Sequence, residues 1–229
     1  MITLTNVTKS YGTKKALDQV NLELTRGKLI GLIGENGSGK STTLKLIAGL
    51  NHPTKGEVRV NGEIVTRKIA STVSYLSELD EYYRFFNVKQ AMEFQASQFK
   101  DFDIEKAYEI MNFMKLKPAD KLKHLSKGNR GRLKIVLTLA RKVPVILMDE
   151  PFSGLDPMVR NSIVKGLISF IDLEKQLVLI TTHEIKEVEN ILDEVVAIKG
   201  GSIIGHHNVE ELREQQQTSI VDWMTEMYE

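Results

Sequence analysis

The octapeptide Gly34-Glu-Asn-Gly-Ser-Gly-Lys-Ser41 constrains this chain more than any other stretch, because G-x-x-x-x-G-K-[ST] is the pattern of a phosphate-binding loop. It stands between the apolar run Leu29–Ile33, which reads as a buried strand, and Thr42–Leu50, whose apolar residues recur at helical spacing. A glycine-rich turn matching by chance would lack those flanks. Gly34, Gly37 and Gly39 let the backbone curl so that successive N–H groups face one anion, and the following helix adds the positive end of its dipole. Lys40 is expected to reach the β- and γ-phosphates of a nucleotide and Ser41 to ligate Mg²⁺. Glu35, Asn36, Ser38 and Thr42 complete the expected nucleotide contacts.

The surroundings agree with an α/β fold. Ile2–Thr8 and Val20–Leu24 alternate apolar and polar residues as half-buried strands do, with Tyr11 in the polar turn between them, and Asn61-Gly62 signals a hairpin. A helical pattern runs from Val88 through Met114 and resumes over Leu133–Ala140. The continuous apolar run Val145–Met148 reads as a strand covered on both faces. Helix 157–170, strand 177–181, helix 185–192 and strand 195–198 then give a βαβ rhythm. Two short amphipathic helices, 209–217 and 220–227, close the chain. The expected architecture is therefore a P-loop sheet core with an antiparallel β subdomain. A helical insert at about 79–142 and a C-terminal helical extension over 205–229 belong to the same single domain.

Asp149 and Glu150 end the buried strand, where such a carboxylate pair is costly without a cation. Asp149 is expected to hold Mg²⁺ through a water and Glu150 to polarise the attacking water. His183 follows the next strand and emerges at the same edge. His52, His206 and His207 lack that context and read as solvated.

Composition limits the partners. The 229 residues carry a net charge of +1, which argues against a broad nucleic-acid surface, and no cysteine, which rules out disulfides and Cys-based zinc sites. No apolar run approaches the ~20 residues that span a bilayer, and the first residues form no signal region, so service to a membrane must run through a partner.

Together these motifs resemble an ABC-type ATPase, the nucleotide-binding subunit of an ATP-binding-cassette transporter, in the family's order and over nearly the whole chain. The resemblance implies that Tyr11 stacks on adenine, that Ser153-Gly-Leu-Asp156 is the D-loop with Asp156 at the nucleotide, and that His183 contacts the γ-phosphate. Leu125-Ser-Lys-Gly-Asn129 occupies the place of the LSGGQ signature, so Ser126 and Gly128 are expected on a partner cassette's ATP. Lys127 and Asn129 depart from it. The Q-loop position holds Glu78, whose carboxylate is expected to serve Mg²⁺ and the attacking water, and which favours a bacterial export-type cassette.

The implied protein works with a second cassette, as homo- or heterodimer, and with integral membrane subunits, on the cytoplasmic face of the cell membrane. The competing reading is a soluble ABC-type ATPase acting on ribosomes or nucleic acid, against which stand the single phosphate loop and the absence of heptads. A GTPase switch lacks its N-K-x-D motif. Tyr82, Tyr83, Phe85 and Phe86, beside Asp80, Glu81 and Arg84, either pack the helical insert onto the sheet or line a groove for a short helix of the membrane partner.

Overall fold

The computed structural model describes residues 1–78, 83, 85–183, 185–215 and 218–228. Two long strands, β1 (Ile2–Tyr11) and β2 (Lys14–Leu24), lead through the short buried strand β3 (Leu29–Ile33) into helix α1 (Lys40–Ile47). The hairpin of β4 (Lys55–Val60) and β5 (Glu63–Ile64) turns on Asn61 and Gly62, at φ 52° and 83°, the positive pair a type I′ turn requires. Next come β6 (Val73–Leu76), α2 (Val88–Gln98), α3 (Ile104–Phe113) and α4 (Lys127–Leu139). The remaining elements are β7 (Val145–Asp149), α5 (Pro157–Phe170), β8 (Leu177–Thr182), β9 (Glu194–Lys199), β10 (Ser202–Asn208), α6 (Val209–Gln215) and α7 (Ile220–Tyr228).

Two sheets result. β2-β1-β4-β5 is antiparallel, and β10-β9-β3-β8-β7-β6 is parallel except for β10 on its edge. The parallel strands are covered on both faces, which is why they read as unbroken apolar runs. Side chains alternate between two cores. On β7, Val145 and Leu147 pack with α1 and the antiparallel sheet, whereas Ile146 and Met148 pack with α4 and α5. β8 repeats the pattern, with Leu177 and Leu179 on the α1 side and Val178 and Ile180 opposite. Asp149 and Thr181 carry the same parity as the first set, so both turn toward α1.

Several expectations shift. Tyr11 is the last residue of β1, paired with Lys14, and not part of a turn. The helical pattern over Val88–Met114 is two helices, because Phe99 adopts an extended conformation and Asp103 caps α3 by accepting from the Lys106 N–H. α4 begins well before its apolar face, because Ser126 supplies the cap. The helix expected over 185–192 is a pair of 3₁₀ turns, Ile185–Glu187 and Glu189–Ile191. Ile185, Val188 and Ile191 recur every third residue, the period of a 3₁₀ and not an α-helix. β10 runs to Asn208, so the helices after it start at Val209.

His207 is half-buried and not solvated, whereas His206 is exposed, as expected, but bonded. His207 meets Trp223 of α7 edge-on, with ring centroids 5.1 Å apart, and His206 Nε2 donates to Glu194 Oε2 at 2.9 Å. Glu194 also accepts from the Lys28 ammonium. Burial would push the Glu194 carboxyl up, but the bonds from Lys28 and His206 outweigh it and hold it below its usual range. A carboxyl depressed in the folded state stabilises above its unfolded value and loses that contribution as the pH falls through the folded one. Glu194→Gln should therefore lower the unfolding free energy by about 1–2 kcal/mol at neutral pH. In urea titrations the difference from wild type should vanish toward pH 3.

Candidate functional site

The glycine loop follows β3 and closes onto α1, as the motif demands. Gly37 has φ 80° and Gly39, the residue before α1, φ 117°. A Cβ on Gly39 would stand 2.7 Å from the Ala16 carbonyl oxygen and from Leu17 Cδ2, so strand β2 leaves room for glycine alone. The Lys40 ammonium is buried inside the loop, donating to the carbonyls of Gly34 at 2.7 Å and Glu35 at 3.1 Å, with Glu150 Oε1 3.7 Å away.

Asp149 is the hub. It is 2% exposed and accepts three hydroxyl hydrogen bonds from three elements. Ser41 of α1 donates at 2.9 Å, Thr181 of β8 at 2.9 Å and Tyr75 of β6 at 3.1 Å. The parallel register makes this possible: Asp149 lies opposite Thr181, and Tyr75 opposite Leu147 two residues back. The Thr181 hydroxyl also accepts from the Glu150 N–H at 2.9 Å. That bond pins Glu150 at φ 47°, a left-handed conformation that costs a non-glycine residue of order 1 kcal/mol and turns its carboxylate out of the strand. Glu150 Oε2 meets His183 Nδ1 at 2.8 Å, and since a carboxylate only accepts, the imidazole carries its proton on Nδ1.

A cleft of about 630 Å³ collects Asn36, Gly37, Gly39, Lys40, Ser41 and Thr42 with Glu78, Glu150 and His183. Tyr11 stands at one side, 49% exposed, with Asn51 donating to its hydroxyl at 2.8 Å and the Lys9 ammonium 5.0 Å from its ring centroid. The remaining expected residues lie elsewhere in this chain. Ser126 caps α4, Gly128 follows in its first turn against Val159, and Asp156 caps α5 through the Val159 N–H at 3.0 Å. Tyr75, Thr181 and Lys14 escaped the sequence reading, and Ser153, expected only as the start of the D-loop, lines this cleft of its own chain. The strand register would have exposed Thr181, as the neighbour of a buried carboxylate.

The residues fit a nucleotide triphosphate and its metal. Among the described residues Ser38 Oγ is buried without a hydrogen-bond partner, as a loop awaiting phosphate oxygens would leave it. No group of three or more His, Cys, Asp or Glu stands ready to hold a metal among them. Mg²⁺ needs no such cage, since one or two protein oxygens and the substrate's phosphates suffice, and Ser41 with Asp149 are such a pair.

Strand, loop, helix and strand-end carboxylates define a phosphate-loop nucleotide hydrolase. Comparison with known proteins narrows this. The ABC transporter family matches residues 17–153. The uncharacterized ABC transporter ATP-binding protein MJ1023 of Methanocaldococcus jannaschii is 31% identical over 216 residues, covering 92% of this chain and 79% of that protein. The ABC transporter ATP-binding protein YtrB of Bacillus subtilis is 27% identical, covering 94% and 74%. Among solved structures, the ATP-binding subunit of an ABC transporter superimposes with TM-score 0.87 over all of both chains at 22% identity. The dimeric structure of MJ0796, a bacterial ABC transporter cassette, gives 0.82 at 25% identity over 91% of this chain and 99% of that one. The chain belongs to the ABC transporter family and is an ATP-binding cassette ATPase. Among the described residues no helix is long and apolar enough to cross a membrane.

Thr181→Val keeps shape but removes both hydrogen bonds of the hub that depend on the hydroxyl. It should cut ATP hydrolysis, followed as phosphate release, about tenfold, and lower the unfolding midpoint by roughly 2–4 °C.

Proposed function

We propose that this cassette energises a separate membrane-spanning transporter by closing with a second cassette around two ATP molecules, one chain serving as a single functional unit with its insert at 79–142 and its extension at 205–229. The observation that carries the reading is the Glu150 carboxylate, held between Lys40 and His183 at the mouth of the phosphate loop. In this reading Tyr11 stacks on adenine while Gly34–Thr42 wrap the phosphates. Lys40 exchanges its loop carbonyls for phosphate oxygens. Ser41, Asp149 and Glu78 hold Mg²⁺, which when bound neutralises charge on the β- and γ-phosphates.

Glu150 accepts a proton from the water that attacks the γ-phosphorus in line. The bond from water oxygen to phosphorus forms as the bond to the β,γ-bridging oxygen breaks, giving ADP and inorganic phosphate. His183 aligns Glu150 through Nδ1 and presents Nε2 to the γ-phosphate. Ser126, Gly128 and Asp156, remote from the cleft of their own chain, act on the partner cassette's nucleotide and at the interface between the two. A dimer is the described state of the MJ0796 cassette.

Glu150→Gln removes the base but keeps size and hydrogen-bonding reach. Turnover should fall by two to four orders of magnitude, the range of a lost general base. ATP binding should persist, and size-exclusion chromatography should show a dimer that lasts in the variant and is transient in the wild type. A variant that remains monomeric at saturating ATP would exclude the homodimer and require a different cassette as partner.

The aromatic group after β6 supports docking to membrane subunits. Tyr83 and Phe85 are 52% and 69% exposed, and with Phe86 and Phe94 they form one cluster whose centroids lie 4.9–5.7 Å apart. Tyr82, Asp80, Glu81 and Arg84 lie outside the described residues. Exposed aromatics of this kind mark interaction surfaces. Phe85→Ala should leave ATP hydrolysis by the isolated subunit within about twofold while abolishing copurification with an integral membrane protein from detergent extracts.

A further inference from the structure

β6 is the edge strand of the large sheet and pairs with β7 only as far as Leu76 opposite Met148. The next two carbonyls, those of the half-buried Ser77 and the exposed Glu78, lie beyond that pairing, and the half-buried one needs a donor. α4 supplies it. The Lys134 ammonium donates to the Glu78 carbonyl at 2.7 Å and to the Ser77 carbonyl at 3.2 Å. One helical turn on, the Thr138 carbonyl accepts from the Ser74 hydroxyl at 3.1 Å, and just past the end of the helix the Arg141 guanidinium donates to the Ala70 carbonyl at 2.6 Å. Positions 134 and 138 share one face of α4 and Arg141 stands two residues past its end, so the helix and its exit clasp β6 and its approach at three levels.

Lys134 is the member of this row that lines the cavity next to the nucleotide cleft. Its neighbours Leu133 and Ile135 are fully buried, and the apolar face of α4 has no use for a cation at 134. With Leu76, Glu78, Glu150 and Ser153 it lines a cavity of about 290 Å³ that adjoins the phosphate cleft, Glu78, Glu150 and Ser153 being common to both. Glu78 thus stands in the cleft by its side chain while its main chain is bonded from behind. An ammonium with three hydrogens in a fixed fork to two successive carbonyls limits rotation of the peptide between them.

From this geometry we infer that Lys134 is a positioning residue, which fixes the Ser77–Glu78 main chain so that the Glu78 carboxylate faces the metal and the attacking water. The inference rests on the reading of Glu78 given above. Lys134 touches no substrate, so its loss acts through Glu78. A carboxylate displaced by an ångström costs up to about a hundredfold in rate. The grip on adenine and phosphates, made by β1 and the glycine loop, is left intact.

The test compares Lys134→Met, Lys134→Arg, Glu78→Ala and the double variant Lys134→Met/Glu78→Ala in steady-state ATP hydrolysis against both ATP and free Mg²⁺. It also compares them in calorimetric titration of Mg²⁺ into the ATP complex, where Lys134→Met should weaken Mg²⁺ binding and Lys134→Arg should not. Lys134→Met should lower kcat roughly tenfold to a hundredfold and raise the Mg²⁺ concentration for half-maximal rate, with KM for ATP within about twofold of wild type. Lys134→Arg, which retains the donors, should restore most of the rate. In the Glu78→Ala background, Lys134→Met should add little, since two residues acting as one unit are not additive. A wild-type rate and Mg²⁺ dependence in Lys134→Met, with Glu78→Ala impaired, would overturn the inference and leave the reading of Glu78 standing. Additive losses in the double variant would also overturn it, as the mark of a purely structural residue. A fully active Glu78→Ala would sink both. Should Lys134→Met not fold, Lys134→Leu, equally without a donor, carries the same comparison.

Discussion

A carboxylate buried to 2% exposure is the constraint on which this structure rests. Taking such a charge out of water costs several kcal/mol unless hydrogen bonds replace its hydration. Asp149 obtains three, from Ser41, Tyr75 and Thr181, each delivered by a different element. Those three hydroxyls converge only if β6, β7 and β8 keep their parallel register and α1 starts immediately after the glycine loop. The candidate site and the sheet are thus stabilised by the same bonds.

Adjacent carboxylates take opposite fates because strand geometry separates them. Asp149 is the last residue in β7 and turns toward α1, while Glu150 leaves the strand at φ 47° and turns toward Lys40 and His183. Thr181 serves both, donating to one side chain and accepting from the other's backbone. A locked acid beside an aimed one suits a site where one group holds a cation and the other moves a proton. The strained backbone at Glu150 is consistent with that division.

The lysine that departs from the family signature has a local physical account. Lys127, at the start of α4, lays its side chain over Gly154, where an added Cβ would stand 2.0 Å from the ammonium nitrogen. Gly128 is in turn packed so that a Cβ would meet Val159 Cγ2 at 2.9 Å. The first turn of α4 and the loop leading into α5 are therefore fitted to each other, a bulky residue on one matched by glycine on the other. The basic first turn carries no acidic residue, which leaves the helix terminus suited to an anion.

The phosphate loop, the succession of strands in the parallel core and the Asp149–Glu150 pair were legible in the sequence. These are local signals: a fixed spacing of glycines, a run of apolar residues long enough for one strand, a polar residue at its end. The sequence also carried the hairpin at Asn61-Gly62, whose backbone demands those residue types. Where periodicity was ambiguous it misled, as at 185–192, because apolar residues three apart suit either helix type until packing decides. That Tyr75 and Thr181 reach Asp149, that His206 pairs with Glu194 and that Lys134 reaches the main chain of Glu78 follows from the fold alone. Each of these joins residues distant along the chain, 74, 32, 12 and 56 positions apart, through strand register or helix packing. No single stretch contains that information, because a hydroxyl, an imidazole or an ammonium has no distinguishing pattern of its own until the fold gives it an acceptor.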